Sequence, residues 1–365
     1  MARLGVSPII LRLAKTVKLP GEPRGTWCHL WLALTSSNVA ATLSHMAKLI
    51  KVLSIDGGGI RAIIPAMILA EIERRTERPI AELFHLIGGT SSGGILALGL
   101  TKPGRNEKPK YTAEDGVRLF AAEGERIFSR SLWHKIHSLW SVEQEKYQSV
   151  GVKDVFGRYF GDARLKDALT ELLITSYEIE RRVPFFFKSA KAKDPEESGY
   201  DFPMWQVARA TSAAPTYFEP VKIVTADHSE YYALVDGGIF ANNPAMCALA
   251  EAKAMYPDGE FLVASLGTGE YTQPLLYSDA KSWGARQWAR PIISISFDGT
   301  NATVDYQMSK LLPETRYYRF QAKLNECNDD IDDASPTNVR GLQLLAEQLI
   351  AENDLRLDTL CQALV

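Results

Sequence analysis

The chain has 365 residues, 46% hydrophobic and 23% charged. This is the balance of a soluble globular protein with room for one large α/β domain or two smaller ones. With 41 basic against 44 acidic side chains, no global positive charge is present to hold a nucleic-acid polymer. Cys28, Cys247, Cys327 and Cys361 are scattered and form no C-x-x-C pair. That argues against a metal or redox cysteine site and against a disulfide scaffold, and it fits a reducing, cytoplasmic compartment. No run of about 18 apolar residues is present to cross a membrane as a helix.

Residues 1–45 stand apart, with Arg3, Arg12, Lys15, Lys18 and Arg24 against the single acid Glu22. Two readings stand for them: an acid-poor transit segment, or an extension ahead of a true start at Met46. Little order is expected in either case, and 46–365 is expected to form a single domain with a helical C-terminal segment. Lys51 to Ile55 reads as a short buried strand. Asp56-Gly57-Gly58-Gly59-Ile60-Arg61-Ala62 follows it and leads into a helix to about Arg75. The spacing of Gly57, Gly59 and Ala62 fits a dinucleotide fingerprint, but that fingerprint needs a carboxylate at the tip of the next strand. The alternative is a nest of backbone N–H groups at a helix N-terminus, suited to a developing oxyanion.

The next strand leads instead into Gly89-Thr90-Ser91-Ser92-Gly93, within FHLIGGTSSGGILAL at 84–98. An apolar run, a glycine-flanked serine and an apolar helix form the strand–turn–helix that G-x-S-x-G requires, with the hydroxyl at the apex. Beyond the charged loop Lys102 to Lys110, Thr112 and Asp115 sit three apart, as in a capping box. SRSLWHKIHSLW at 129–140 spaces Leu132, Trp133, Ile136, Leu139 and Trp140 as a helix face, which suits either a lipid-touching flap or an ordinary packed helix. His134 and His137 within it lack a metal-binding partner and read as surface residues.

Leu165 to Leu173 reads as a helix, Arg182 to Lys188 as a buried strand, Met204 to Ala213 as a helix and Glu230 to Val235 as a strand. That last strand runs into Asp236-Gly237-Gly238, and Asn243-Pro244 opens a further helix. Phe261 to Leu266 and Arg316 to Phe320 read as strands. The acids at 329, 330, 332 and 333 lack the glycine and terminal glutamate of a calcium loop, and Ser335-Pro336 caps a last helix to about Ala351. The alternation of strands and helices predicts a three-layer α/β/α fold around a largely parallel sheet.

A serine hydroxyl needs a base to act as a nucleophile. None of the six histidines lies beyond His228, and His85 belongs to the strand before the elbow, so no Ser–acid–His order is available. Asp236, ending a strand in a glycine turn, is the simpler base, provided that burial raises its proton affinity.

DGGGIR at 56–61, GTSSG at 89–93, ARATSAAPTYFEP at 208–220, DGGIFANNP at 236–244 and SLGTG at 265–269 together resemble the patatin-like phospholipase family, in its bacterial form. The resemblance implies a serine lipid acyl hydrolase of the phospholipase A or lysophospholipase type that works without metal or cofactor through an acyl-serine. Ser91 matches the nucleophile and Asp236 the base. Gly57, Gly58 and Gly59 match the oxyanion loop. Arg61, Gly89, Gly93, Gly237 and Gly238 support these motifs. The implied partner is a phospholipid or another acyl ester, met in transient contact at a membrane surface. Two further readings stay open: a transacylase or thioesterase with the same dyad, and an effector switched by a cyclic nucleotide through the C-terminal hundred residues.

Overall fold

The computed structural model describes residues 48–128, 154–215, 217–270, 272, 274–288, 291–324 and 330–365, all within the unit Lys48–Val365. The basic stretch 1–45 and the amphipathic run 129–140, with His134 and His137, lie outside the described residues.

Eight strands form one sheet: β1 (Leu49–Ile55), β2 (Leu86–Thr90), β3 (Glu171–Glu178), β4 (Val183–Lys188), β5 (Val221–Val224), β6 (Tyr231–Asp236), β7 (Glu260–Leu266) and β8 (Tyr317–Phe320). Their order is β5-β6-β3-β2-β1-β7-β8, with β4 paired to β3. The run β3-β2-β1-β7-β8 is parallel, whereas β4, β6 and β5 join antiparallel. A parallel sheet is covered on both faces, so its strands bury successive residues to opposite sides. Leu53 and Ile55 enter one core with Ile87 and Leu262, while Ile50 and Val52 enter the other with Leu86 and Val263.

Among the described residues, the helices of eight or more residues are α1 (Ile63–Thr76), α2 (Ser92–Thr101), α3 (Ala113–Phe128), α4 (Met204–Thr211), α5 (Ala245–Met255), α6 (Pro291–Leu311), α7 (Pro336–Glu352) and α8 (Asp354–Leu364). In α1, Ile64, Ile68 and Ile72 recur every four residues and join the first core, together with residues of α2, α3, α4, α7 and α8. Helices α5 and α6 cover the other face through Ala245, Ala248, Leu249 and Met308. The result is the expected α/β/α layering. The C-terminal helices belong to the same core, since Leu342, Leu349, Leu357, Leu360 and Leu364 are buried there.

The capping signals hold locally. Thr112 N–H donates to Asp115 Oδ2 at 3.0 Å, and Asp115 N–H returns to Thr112 Oγ1 at 3.2 Å. Ser335 Oγ accepts the Asn338 N–H at 3.3 Å, with Pro336 opening α7. One element differs in kind. The helix expected over Leu165 to Leu173 is a single 3-10 turn, Leu165–Asp167, followed by β3. Short apolar runs carry no decisive period, and pairing with strands on both edges made this one a strand. The sequence reading also passed over β5, α6 and α8.

Candidate active site

Strand β3 is the template on which the two ends of the site meet. One edge pairs with β4, with Thr175 opposite Phe186 and Ser176 opposite Phe185. Along the other edge, Thr175 pairs with Thr90 of β2 and Ser176 with Asp236 of β6. Because β2 runs parallel to β3 and β6 antiparallel, their C-terminal ends face each other at consecutive positions of one strand. Beyond Thr90 the chain must turn out of the sheet. Ser91 does so at φ 54°, ψ −124°, a region that side-chain-bearing residues rarely occupy outside strained functional turns.

That turn aims the hydroxyl across the gap. Ser91 Oγ donates to Asp236 Oδ2 at 2.6 Å, although the two residues lie 145 positions apart. The Ser91 N–H is held by Thr211 Oγ1 at 2.9 Å, and that hydroxyl donates to Thr175 O at 2.7 Å. Close approach explains the flanking glycines. A Cβ at Gly93 would lie 2.4 Å from Ile55 O, and one at Gly237 would lie 2.1 Å from Thr175 Oγ1. A Cβ at Gly89 would lie 2.7 Å from Gly93 O and 2.8 Å from the Gly94 backbone.

Asp236 is buried, 2% exposed, and pairs with no cation among the described residues. Its Oδ1 accepts the Gly238 N–H at 2.7 Å. Burial pushes its carboxyl up to about 7, against the opposing pull of the Ser91 hydroxyl and the Gly238 N–H. A carboxylate poised there accepts protons near neutral pH, as a general base must.

The glycine loop at the end of β1 lies against the elbow. A methyl group on Gly57 would come 3.1 Å from Ser91 Cβ. Of the three expected amides, two already have partners. Gly57 N–H donates to Asn242 O at 3.0 Å and Gly58 N–H to Ser92 Oγ at 3.2 Å. Gly59 takes a left-handed φ of 58°, and among the described residues its N–H donates to no protein acceptor. Gly57 O is pinned by Thr268 Oγ1 at 2.7 Å and Asn242 Nδ2 at 3.3 Å. Arg61 is buried, and its Nε donates to Gly58 O at 3.3 Å. Near it, Asp298 of α6 is pushed up to about 6 by burial, against the attraction of Arg61.

The root of the loop rests on an ion pair that sequence reading missed. Arg319 of β8 grips the fully buried Asp56 with two contacts, Nη2 to Oδ2 at 2.6 Å and Nη1 to Oδ1 at 3.1 Å, and reaches Ser265 Oγ at 2.9 Å. Burial raises the Asp56 proton affinity and the guanidinium opposes it. Arg319 lies 263 residues from Asp56 in an unremarkable strand, so no local signal pointed to it. Thr268 and Asn242 did lie inside quoted motifs.

The two described histidines sit away from the hydroxyl. His85 precedes β2 at its far end, where Nδ1 accepts the Lys51 N–H at 3.0 Å. His228 lies in the turn before β6, and that six-residue strand separates it from Asp236 by about 20 Å at ~3.3 Å per residue. Among the described residues, no cluster of three or more His, Cys, Asp or Glu is arranged to hold a metal ion. No described helix is long and apolar enough to span a membrane.

A strained serine elbow thus faces a buried aspartate at the carboxyl ends of the parallel strands of an α/β fold. The chain matches the family model for "Patatin-like phospholipase" over residues 53–249. It is 30% identical over 346 residues to Patatin-like protein 4 of Arabidopsis thaliana, covering 85% of this chain and 86% of that one. It is 31% identical over 355 residues to a Solanum tuberosum protein named "Probable inactive patatin-3-Kuras 1", covering 89% and 91% respectively. Among solved structures, VipD from Legionella pneumophila aligns with 84% of this chain and 67% of its own, at 14% identity and a TM-score of 0.39, a level that carries no argument about function. The chain belongs to the patatin-like phospholipase family, and with it to the lipid acyl hydrolases.

Proposed function

We propose that the protein hydrolyses fatty-acyl esters of phospholipids or lysophospholipids through a Ser91–Asp236 dyad and an acyl-serine intermediate. The observation that carries this reading is the 2.6 Å contact between a strained serine hydroxyl and a buried, cation-free carboxylate. Asp236 Oδ2 takes the hydroxyl proton as Ser91 Oγ attacks the ester carbonyl carbon. The carbonyl oxygen becomes an oxyanion facing the glycine loop and the N-terminus of α2. Within that loop the Gly59 N–H is its donor, while the Gly57 and Gly58 N–H groups are occupied by Asn242 O and Ser92 Oγ. Each such donor contributes roughly 3–4 kcal/mol to lowering the barrier.

Collapse of the tetrahedral species breaks the ester C–O bond, and the leaving alcohol takes the proton from Asp236. Water then attacks the acyl-serine with Asp236 again as base, releasing the fatty acid and restoring Ser91. Aspartate can serve both steps because its proton affinity lies near working pH. Lipid substrate implies transient contact with a membrane surface. The test is fatty-acid release from a short-chain ester and from phospholipid vesicles by the purified chain. Ser91→Ala and Asp236→Ala are each expected to abolish release, and full activity in either refutes the dyad.

A further inference from the structure

The chain leaves β7 at the carboxyl end of the sheet, where Thr268 touches the glycine loop through Gly57 O. It returns along α6, whose Phe297 ring comes within 3.0 Å of a methyl built on Gly238, and whose Asn301 accepts from Asn242 Nδ2 at 3.2 Å. Farther along, α6 buries Met308 in the second core before β8 begins at the opposite end of the sheet. Both ends of the stretch between β7 and α6 therefore stand on the same side as Ser91 and Asp236.

This stretch and the first turns of α6 hold five of the thirteen exposed large hydrophobic residues among those described. Leu275, Leu276 and Tyr277 are 47%, 55% and 83% exposed, and Ile292 and Ile295 at the start of α6 are 50% and 40% exposed. Between them, Trp283 and Trp288 meet edge to face at 5.1 Å, both half-buried. Lys281 and Arg286 are exposed beside them, against the single acid Asp279. Exposed aliphatic side chains, amphipathic indole rings and local positive charge, on a chain whose net charge is −3, are the chemistry of an interfacial lipid contact.

We infer that the rim carried by Leu275, Leu276, Tyr277, Ile292 and Ile295 is the face by which the protein docks on a phospholipid bilayer, with the Ser91 mouth toward the lipid. The inference rests on the lipid-hydrolase reading and assigns a surface to it. A lipid surface fits better than a second copy of the chain. The stretch that carries it is anchored at both ends beside the glycine loop and the acid turn, and its flanking charge is basic in a chain of net charge −3.

The test uses full-length Ser91→Ala protein, which leaves vesicles intact, in co-sedimentation with phosphatidylcholine vesicles with and without phosphatidylglycerol. Leu276→Asp/Tyr277→Asp is expected to weaken vesicle binding about tenfold or more, while Leu355→Asp, an exposed leucine on α8, leaves it unchanged. Lys281→Glu/Arg286→Glu is expected to weaken binding to the anionic vesicles alone. With Ser91 intact, the Leu276/Tyr277 variant keeps its turnover of a dispersed short-chain ester and loses turnover of vesicular phospholipid. Thermal melting shows whether each variant is folded. Vesicle binding unmoved by either pair of changes, or no binding by the parent, overturns the inference. So does a shift from dimer to monomer on size exclusion, which would make the rim a self-association face. Failure of the hydrolase reading is seen separately, as absence of short-chain ester hydrolysis while vesicle binding persists.

Discussion

Two strand ends meet on β3, and each bears its strain in a different form. At the end of β2 the strain is conformational: Ser91 takes φ 54° between glycines that no side chain could replace without collision. At the end of β6 the backbone is ordinary, with Gly237 at φ −68°, ψ −15°, and the strain is electrostatic, a carboxylate buried with no cation beside it among the described residues. A third end, that of β1, shows what relief looks like, since Asp56 is as buried as Asp236 but is gripped by Arg319. The difference teaches that one sheet can neutralise a buried acid that holds a loop and leave another facing only a hydroxyl and an amide, as the proposed base must be to take up a proton. Conformational strain answers to the choice of residue, and electrostatic strain answers to pH.

The comparison breaks most visibly at the two groups of the proposed dyad. Ser91→Ala and Asp236→Asn are each expected to lower kcat/KM for ester hydrolysis by about four orders of magnitude or more, measured by fatty-acid release. Arg319→Met is expected to destabilise the fold by about 3–5 kcal/mol in urea unfolding, because it leaves Asp56 buried and unpaired. Asp56→Asn in the same chain should recover part of that loss.

Asp236 should behave in the opposite way. Its folded pKa, about 7, lies above the usual 3.8, so folding favours the protonated form. That contribution is fully present below about pH 4, fades as pH rises, and is gone above about pH 7. Asp236→Asn, which cannot ionise, is therefore expected to gain up to about 4 kcal/mol over the parent at pH 8, and nothing at pH 4. Denaturant midpoints at the two pH values check this. The same titration sets the activity: kcat/KM should rise about tenfold per pH unit until about pH 7 and level off above it. A limb that moves when His228 is replaced would mean another base. The smallest effect concerns the elbow. Ser91→Gly is expected to be about 1 kcal/mol more stable than Ser91→Ala, because glycine accepts a positive φ without penalty.

Much of the site was legible because its signals are local. A glycine beside a serine, an aspartate before two glycines and three glycines after a strand each announce a tight turn within a handful of residues. The same locality explains the errors. Leu165 to Leu173 gave no period that distinguishes helix from strand, and the residues that decided it, in β2 and β4, lie far along the chain. The glycine loop was expected to offer three free amides, yet two were already taken by Asn242 and Ser92, partners visible only once the loop had packed. Arg319 could not be picked from many arginines until β8 was set beside β7.

From its own order of residues the chain determined the elbow, the acid turn, the caps of α3 and α7 and the alternation that calls for a layered α/β fold, since each follows from backbone sterics and hydrogen bonding over a few positions. Only the tertiary structure decided that β2 and β6 would end nose to nose on β3, and that Asp56 would be gripped by Arg319 while Asp236 would meet no cation among the described residues. Those outcomes depend on which distant groups exclude water from one another, and no short stretch of sequence carries that information.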